Sequence, residues 1–298
     1  MKNMQNYLVV GTPITQSLSP RLHNSVYQEL GLSRELSAFD PGDPDGFYQL
    51  VDGLRTSEYQ GLCVTIPYKL AAYNACDTLS PTAQRTGAVN YIRREADGSL
   101  TGENTDAQGF AQAVKLQLNL DFKGICAVVC GSGGASRAIV DALIQGGAQE
   151  VTLVSRDAGR AEKAAKATKE HGIARPDSLE LDQVEPAAQS GRIRTIDYEA
   201  LYAGKHRYDL LVNATPLGMN DGAMPVTADW LIVNVSAVYD AVYRKSGTTA
   251  LVAAVRQTNI AAADGRSMLI EQAILGMQFW GIHTDPAVLR SIIDAALL

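Results

Sequence analysis

The chain has 298 residues, of which 46% are hydrophobic and 19% charged, and its formal net charge is −6. This composition is typical of a globular protein of one or two domains, and the acidic balance argues against a nucleic-acid partner, because phosphate binding needs clustered Lys and Arg. No apolar run approaches the length of a membrane helix and no targeting signal is found, so we expect a cytoplasmic protein without a membrane partner.

The cysteines and histidines give no sign of a metal site. Cys63, Cys76, Cys126 and Cys130 form no CxxC pair, and the four histidines lie far from them in sequence. Zinc sites need such ligands at close spacing, whereas small buried cysteines are common in proteins of reducing compartments. We therefore predict no bound metal.

The first third of the chain alternates strand-like and helix-like runs. The apolar runs YLVVG, LSAFD and GLCVTIP predict strands, and each is followed by a helical pattern, PRLHNSVYQELG, DGFYQLVDGL or YKLAAYNAC. Pro20 in the first helical turn and a glycine after the helix are typical helix punctuation. The next stretch, AVNYIRREADGSLTGENTD, contains the hairpin dipeptide Asp97-Gly98 and predicts two antiparallel strands.

A second alternation starts near residue 125. The runs ICAVVC, EVTLVSR, YDLLVNATP and WLIVNVSAVYD predict strands, and SRAIVDALIQGG and AGRAEKAAKATKEHG predict helices. A helical run, SMLIEQAILGMQFWG, and a short C-terminal helix end the pattern. Strands that alternate with helices predict mainly parallel sheets. We therefore expect an α/β protein of two domains with a cleft between them, and ligands at the carboxyl ends of the strands.

The glycine-rich segment CGSGGAS, residues 130–136, follows an apolar strand and opens a helix. Glycines at this place allow a tight turn and let the backbone approach a pyrophosphate at the helix N-terminus. The context predicts a Rossmann-like dinucleotide-binding domain, with Ser136 in place of the more common glycine or alanine. A structural turn without a ligand is the alternative.

The residues after the next strand bear on the choice of cofactor. Ser155, Arg156, Asp157 and Arg160 stand where an NAD enzyme usually carries an acidic residue for the ribose hydroxyls. A guanidinium suits the 2′-phosphate of NADP through charge-assisted hydrogen bonds, whereas Asp157 would repel that phosphate. We predict NADP, with NAD as the alternative; the other interpretation of Arg156 is a solvated surface arginine.

Lys69 and Asp106 are the candidates for proton transfer. Lys69 follows the strand GLCVTIP, and Asp106 ends the segment GENTD. Hydride transfer to or from a carbinol needs a group that exchanges the hydroxyl proton, and a lysine beside an aspartate can do so. Taken singly, each residue is more often a member of an ordinary salt bridge.

Eight segments in a fixed order carry a family resemblance across nearly the whole chain: GTPITQSLSPRLHN, VTIPYK, GAVN, GENTD, GSGGAS, NATPLGM, VYDAVY and DGRSMLIEQA. With them the sequence resembles the shikimate dehydrogenase family, including its shikimate and quinate branches. The resemblance implies an enzyme that interconverts 3-dehydroshikimate and shikimate with NADP(H) and without metal. It also implies a substrate domain of residues 1–106 and 265–298 and an NADP-binding domain of residues 107–264, and it allows a homodimer.

The resemblance implies a role for each matching position. Lys69 and Asp106 would form the catalytic pair. The substrate carboxylate would be bound by Ser17, Ser19 and Tyr243, and the ring hydroxyls and carbonyl by Thr65, Asn90 and Gln272. The cofactor would be held by Gly131, Gly133, Gly134, Ala135, Ser155, Arg156, Arg160 and Gly265, with Thr215 and Met219 beside the nicotinamide.

Four places depart from the family pattern. Cys63 stands where asparagine is usual, Gln16 where histidine is usual, and Lys245 where proline is usual. The segment from His171 to Gly204 is longer than the family requires and is interpreted as a surface elaboration. These departures bear on the identity of the substrate more than on the type of reaction.

Three alternatives stay open. The nearest is a paralogue that oxidises quinate or an aminoshikimate-type substrate, which would fit the departure at Cys63. The second is a non-catalytic sensor of a dinucleotide or metabolite, which would have no need of both Lys69 and Asp106. The third is a folate-type dehydrogenase of similar plan, against which the segments SLS and NTD argue.

Overall fold

The computed structural model describes residues 4–156, 192–244 and 247–297. By its internal contacts the chain divides into two compact units. Unit 1 comprises Met1–Gly109 and Leu269–Leu298, and unit 2 comprises Phe110–Met268. The sequence placed these boundaries at 106/107 and 264/265. The cleft expected between the domains stays a prediction.

Unit 1 is built on a six-stranded mixed sheet. Its strands are β1 (Gln5–Val10), β2 (Arg34–Phe39), β3 (Tyr59–Val64), β4 (Thr78–Leu79), β5 (Tyr91–Arg94) and β6 (Leu100–Glu103). Their order across the sheet is β2-β1-β3-β5-β6-β4. β1 pairs in parallel with β2 and β3, whereas β5 pairs antiparallel with β3 and β6. The predicted hairpin is confirmed, since Gly98 turns between β5 and β6 with φ 86°.

Apolar residues on both faces of this sheet pack against helices. The helices of this part of the chain are α1 (Ser19–Glu29), α2 (Pro44–Leu54), α3 (Lys69–Ala75), α4 (Pro81–Thr86) and α5 (Asp106–Leu118). Along β1, Tyr7 and Val9 join a core cluster with residues of α1, while Leu8 and Val10 join a second cluster with residues of α2 and α3. This alternation at every second residue is expected of a strand that is buried on both faces.

Unit 2 is built on a six-stranded parallel sheet. Its strands are β7 (Cys126–Cys130), β8 (Glu150–Val154), β9 (Arg192–Ile196), β10 (Tyr208–Asn213), β11 (Val235–Asp240) and β12 (Ala261–Asp264). The order is β12-β11-β10-β7-β8-β9. Counted along the unit from β7, this is the order 3-2-1-4-5-6 of doubly wound dinucleotide-binding folds. The described helices that follow are α6 (Gly134–Gln145), α7 (Tyr198–Ala203), α8 (Ala228–Asn234), α9 (Ala250–Ala254), α10 (Arg266–Phe279) and α11 (Pro286–Leu297).

One predicted strand is wrong in its first half. The run WLIVNVSAVYD was expected to be a single strand, but WLIVN lies in α8 and only Val235–Asp240 forms β11. Thr227 starts the helix, because its hydroxyl accepts a hydrogen bond from the backbone N–H of Trp230. Trp230 is buried while Val233 is 61% exposed, so this apolar run has one face in water. Periodicity cannot separate helix from strand in so short a run.

The segment from His171 to Gly204 was expected to be a surface elaboration, and this is wrong for its described part. Residues 192–196 form β9, which pairs in parallel with β8 at the edge of the sheet, and α7 follows directly. The rest of that segment lies outside the described residues, as do Asp157, Arg160, Lys245 and the predicted helix AGRAEKAAKATKEHG.

Within the described ranges, no helix is both long and apolar enough to cross a membrane. The same part of the chain contains no group of three or more His, Cys, Asp or Glu side chains that could hold a metal ion.

Candidate active site

Lys69 is positioned by the turn between a strand and a helix. β3 ends at Val64, and after a turn through Pro67 the helix α3 begins at Lys69 itself. The turn is held to the neighbouring strand where the backbone N–H of Thr65 donates to the carbonyl of Val10 at 2.8 Å. The backbone therefore fixes the place from which the lysine side chain starts.

The ammonium of Lys69 lies 2.6 Å from Oδ2 of Asp106, although 37 residues separate the two in sequence. Asp106 begins α5, and only 6% of its side chain is exposed, against 14% for Lys69. A contact this short between an ammonium and a carboxylate is a charge-assisted hydrogen bond, which is stronger than one between neutral groups. The two residues singled out from the sequence for proton transfer are therefore in direct contact.

Asn90 binds the second oxygen of Asp106. Its Nδ2 donates to Asp106 Oδ1 at 3.0 Å and to Thr105 Oγ1 at 2.9 Å, and its Oδ1 accepts from the backbone N–H of Thr105 at 2.8 Å. Asn90 is only 1% exposed. Because both ends of its amide are used, the orientation of that amide is determined, and the carboxylate of Asp106 is held with it.

Gln272 reaches the same group from α10. The Nδ2 of Asn90 lies 3.4 Å from Gln272 Oε1, and Oγ1 of Thr105 donates to the backbone carbonyl of Gln272 at 3.0 Å. Gly109 permits this approach, since a Cβ at that position would lie 2.8 Å from Gln272 N. Thr105 was not predicted from the sequence, although it lies between Asn104 and Asp106 in the segment GENTD.

Two serines predicted to bind the substrate lie near the start of α1. Ser19 is 6% exposed, and its backbone N–H donates to the hydroxyl of Ser17 at 3.3 Å. Cys63 is 5% exposed, and Lys69, Asp106 and Ser19 all lie near enough to its thiol to influence its pKa. Burial raises the pKa of this thiol to about 11, so Cys63 is neutral near pH 7.

The other two residues predicted to bind the substrate are Thr65 and Tyr243. Thr65 is half-buried in the turn between β3 and α3, and its methyl group packs against the backbone of Gly11. Tyr243 is half-buried and belongs to unit 2, so its position relative to Ser17 and Ser19 stays a prediction.

The glycine loop of unit 2 lies at the end of β7. Gly131 has φ 121°, a conformation that favours glycine, and a Cβ there would lie 2.9 Å from the carbonyl oxygen of Ala214, which follows β10. The hydroxyl of Ser136 donates to the carbonyl of Gly131 at 2.7 Å and closes the loop onto the first turn of α6. A Cβ at Gly133 would meet nothing within 4 Å, so the backbone there is open to a ligand.

The end of β8 lies beside this loop. The hydroxyls of Ser132 and Ser155 are 3.4 Å apart, and the exposed Arg156 follows Ser155 directly. Gly134 and Ala135 form the first turn of α6, whose N–H groups are unpaired within the helix. Arg156 therefore directly follows Ser155, the residue at the end of β8 that contacts the glycine loop.

The carboxyl ends of β10 and β11 carry a further polar group. Nδ2 of Asn213 donates to Asp240 Oδ1 at 2.8 Å, and Oδ1 of Asn213 accepts from the backbone N–H and the hydroxyl of Thr215 at 3.0 and 2.7 Å. Burial raises the pKa of Asp240. Met219 is 43% exposed nearby in the chain. Thr215 and Met219 were predicted from the sequence as cofactor residues. Asn213 and Asp240 were not predicted, although each is the last residue of its strand, where ligands bind in such folds.

Gly265 follows β12 at the same edge of the sheet, and a Cβ there would overlap the carbonyl of Ala241.

In the order 3-2-1-4-5-6, β7 and β10 flank the point where the strand order reverses, and dinucleotides bind at that point. The open backbone at Gly133, the N–H groups of α6 and the guanidinium of Arg156 fit a pyrophosphate and a further phosphate. With a lysine–aspartate pair in its other unit, the chain has the parts of a dinucleotide-dependent oxidoreductase.

Comparison with known proteins identifies the family. The family model of the shikimate dehydrogenase substrate binding domain matches residues 9–92. The chain is 34% identical over 284 residues to the shikimate dehydrogenase (NADP(+)) of Rubrobacter xylanophilus, an alignment that covers 95% of this chain and 93% of the relative. The chain belongs to the shikimate dehydrogenase family.

Solved structures of similar proteins share the two-domain fold. Shikimate 5-dehydrogenase from Thermus thermophilus, in complex with NADP(H) and shikimate, has a TM-score of 0.78 and 30% identity, over 98% of this chain and 100% of that one. The ligand-free 5-ketofructose reductase of Gluconobacter sp. strain CHM43 has a TM-score of 0.78 and 25% identity, over 99% of both chains. The predicted family and the predicted α/β fold are confirmed.

Proposed function

We propose that the protein is an NADP-dependent shikimate dehydrogenase, which interconverts 3-dehydroshikimate and shikimate. The observation that carries the proposal is the 2.6 Å contact between Lys69 and Asp106, in a chain that belongs to this family. A non-catalytic sensor has no need of a buried lysine and aspartate held in contact, so this pair argues for an enzyme.

The chain supplies the proton of the reaction. When bound, NADPH provides the hydride that reduces the carbonyl carbon of the substrate. Nζ of Lys69 donates a proton to the carbonyl oxygen as the carbinol forms, and it accepts that proton in the reverse direction. Asp106 keeps the ammonium in position, and Asn90 keeps the carboxylate of Asp106 in position. General acid–base catalysis of this kind contributes about 10²- to 10⁴-fold to the rate.

Unit 1 serves as the substrate domain in this proposal. Its hydroxyl donors Ser17 and Ser19 bind the carboxylate, together with Tyr243 of unit 2. Thr65, Asn90 and Gln272 bind the ring hydroxyls and the carbonyl. The support for these roles is that Asn90 and Gln272 lie in the hydrogen-bonded group of Asp106.

Unit 2 serves as the cofactor domain. The glycine loop binds the pyrophosphate, Arg156 binds the 2′-phosphate that distinguishes NADP from NAD, and Thr215 lies beside the nicotinamide. These roles are supported by the strand order and by the open backbone of the loop. The full set of cofactor residues is Gly131, Gly133, Gly134, Ala135, Ser155, Arg156, Thr215, Met219 and Gly265, together with Arg160 outside the described residues.

Two observations favour a comparison with two other candidate substrates. The thiol of Cys63 lies beside the catalytic pair where the family usually has an amide, and the fold is shared with a 5-ketofructose reductase. Quinate and 5-ketofructose are therefore the substrates to compare with shikimate.

The deciding experiment is a steady-state assay of the purified protein with shikimate and with quinate, each with NADP+ and with NAD+, and of 5-ketofructose reduction with NADPH. We expect the highest kcat/KM for shikimate with NADP+. A kcat/KM about tenfold higher for quinate or 5-ketofructose would replace the substrate in the proposal, since that ratio is what a single pocket contact supplies. No turnover of any substrate would favour the sensor.

The proposal includes a cytoplasmic location and a homodimer. The four cysteines are free, and three of them are buried, which supports a reducing compartment. The homodimer stays a prediction from the resemblance, and light scattering coupled to size exclusion measures it directly.

A further inference from the structure

Asn104 lies two residues before Asp106 and is bonded to its backbone. Asn104 connects β6 to α5 and is only 2% exposed. Its Oδ1 accepts the backbone N–H of Asp106 at 3.0 Å. The bond closes a turn of the kind in which an Asn side chain pairs with the backbone two residues further on. Asn104 therefore holds the backbone from which the carboxylate side chain of Asp106 starts.

The other end of the Asn104 amide is bonded to the segment that carries Asn90. Nδ2 of Asn104 donates to the backbone carbonyl of Ala88 at 3.0 Å and to the hydroxyl of Thr86 at 3.1 Å. Thr86 is the last residue of α4, Ala88 lies two residues before Asn90, and neither has exposed surface. One side chain therefore joins the backbone of Asp106 to the backbone that leads into Asn90.

The amide of Asn104 can take only one orientation. A backbone N–H only donates and a backbone carbonyl only accepts, so Oδ1 faces Asp106 and Nδ2 faces Ala88. The backbone N–H of Asn104 is also used, since it donates to Oε1 of Glu103 at 2.7 Å. The same carboxylate oxygen accepts the hydroxyl of Ser80 at 2.6 Å. Asn104 is thus fixed at its backbone and at both ends of its side chain.

We propose that Asn104 is a positioning residue: it holds the segments that carry Asn90 and Asp106 in register, and through them the proton-transfer pair. The inference rests on the proposed function, because it takes Lys69 and Asp106 as that pair. One carboxylate oxygen of Asp106 accepts from Asn90 at 3.0 Å, and the other accepts from Lys69 at 2.6 Å. A shift of the Asp106 backbone relative to Asn90 changes both contacts together. Misplacement of a catalytic group by about 1 Å can cost about 10²-fold in rate.

Two variants weaken the acceptor of the Asp106 N–H in steps. Asn104→Ala removes the acceptor and the bond to Ala88, whereas Asn104→Ser keeps a hydroxyl, which makes the same turn more weakly. We expect kcat for shikimate to fall about 10- to 100-fold in Asn104→Ala and by less in Asn104→Ser. The KM for NADP+ should not change, because the glycine loop belongs to unit 2. The kcat of the wild type in Asn104→Ala, or equal losses in the two variants, would overturn the inference.

Asp285→Ala is the matched control. Asp285 is exposed and directly precedes α11, and its Oδ1 accepts the backbone N–H of Ala287 at 2.8 Å. The bond has the same spacing as the one between Asn104 and Asp106. Its loss should lower the temperature of unfolding and leave kcat unchanged. If the control loses as much kcat as Asn104→Ala, any broken turn lowers the activity and the inference fails.

A double variant separates positioning from a general loss of structure. In an Asp106→Asn background the carboxylate that Asn104 positions is already gone, so adding Asn104→Ala should lower kcat by less than about twofold further. A purely structural effect would lower kcat by the same factor in both backgrounds, which would refute the positioning role. Thermal unfolding of each variant confirms that it is folded.

Hydrogen exchange followed by NMR tests the bond itself without any substrate. The backbone N–H of Asp106 should exchange roughly two- to tenfold faster in Asn104→Ala, the range of one neutral hydrogen bond. The N–H of Gly109, which donates to the carbonyl of Thr105 at 2.9 Å, should keep its rate. An unchanged rate at Asp106 would overturn the inference whichever substrate the assay finds. Faster exchange in a protein that does not turn over shikimate would instead refute the proposed substrate and support the bond to Asn104.

Discussion

The aromatic ring of Tyr91 occupies the space that a side chain at Gly276 would fill. A Cβ built on Gly276 of α10 would overlap three ring carbons of Tyr91 on β5. Tyr91 has no exposed surface, and its hydroxyl contacts His23 of α1. The absence of one methyl group on α10 therefore lets a buried tyrosine connect the sheet to α1.

We expect Gly276→Ala to destabilise unit 1. Alanine is the better helix former, but the overlap with a buried ring should cost about 1–3 kcal/mol of the free energy of unfolding. Gly53→Ala in α2 is the matched control, because a Cβ there meets nothing within 4 Å and the change should stabilise by up to about 1 kcal/mol. Urea unfolding followed by Trp280 fluorescence in a Trp230→Phe background measures both. Equal stability of the two variants would contradict the packing described for Tyr91.

We expect Lys69→Ala and Asp106→Asn each to lower kcat by about 10²- to 10⁴-fold. The double variant should lose about as much as either single variant, because residues that act as a unit are not additive. Binding of NADP+ should be unchanged, since the glycine loop belongs to unit 2. Lys115→Ala is the control, because Lys115 forms an exposed ion pair with Asp121 at 2.9 Å. Near-normal turnover in Lys69→Ala would remove the pair from the mechanism.

We expect Arg156→Ala to shift the cofactor preference toward NAD+. Loss of a charge-assisted contact to the 2′-phosphate should weaken NADP+ binding by about 1.5–3 kcal/mol and leave NAD+ binding nearly unchanged. The ratio of kcat/KM with the two cofactors is the measurement. Arg207→Ala is the control, since Arg207 is an exposed arginine of the same unit. A wild type that already prefers NAD+ would show that Arg156 does not select the cofactor.

We expect stability to depend on pH through His23. Burial lowers its pKa in the folded protein from 6.5 to about 4, so the unfolded chain binds a proton that the folded chain does not. The contribution is complete above pH 6.5 and is lost as the pH falls toward 4, by about 3 kcal/mol in total. His23→Gln should remove this part of the slope of unfolding free energy against pH. Parallel slopes for wild type and variant between pH 7 and 4.5 would contradict the burial of a neutral imidazole.

Features that depend on a few neighbouring residues were predictable from the sequence. The hairpin at Asp97-Gly98 and the glycine loop after β7 each need only a few neighbouring residues, because turn residues and strand ends determine them locally. The strand prediction for WLIVN was wrong because so short a run, with four apolar residues, fits a helix or a strand, and the helix cap at Thr227 was overlooked.

Contacts between distant segments were not predictable from local pattern. Lys69 and Asp106 were joined only through the family resemblance, and His23 was one residue of an unremarkable helix. The full burial of His23 depends on Tyr91, and the place of Tyr91 depends on Gly276 of α10. The sequence thus supplied candidate residues for the chemistry, whereas the partners that orient them depend on the packing of elements far apart in the chain.

Unit 1 is assembled from both ends of the chain, whereas unit 2 is continuous in sequence. One core cluster of unit 1 contains Tyr7 and Leu22 from the first segment and Met277 and Leu289 from the last. Domains fold as units while the chain emerges from the ribosome, so unit 2 can finish before the core of unit 1 closes. The backbone of Gln272 accepts the Thr105 hydroxyl only once the last segment has been made. The candidate active site is therefore completed only after translation has passed Gln272, and chains that stop before this residue should be inactive even when they can already bind the dinucleotide.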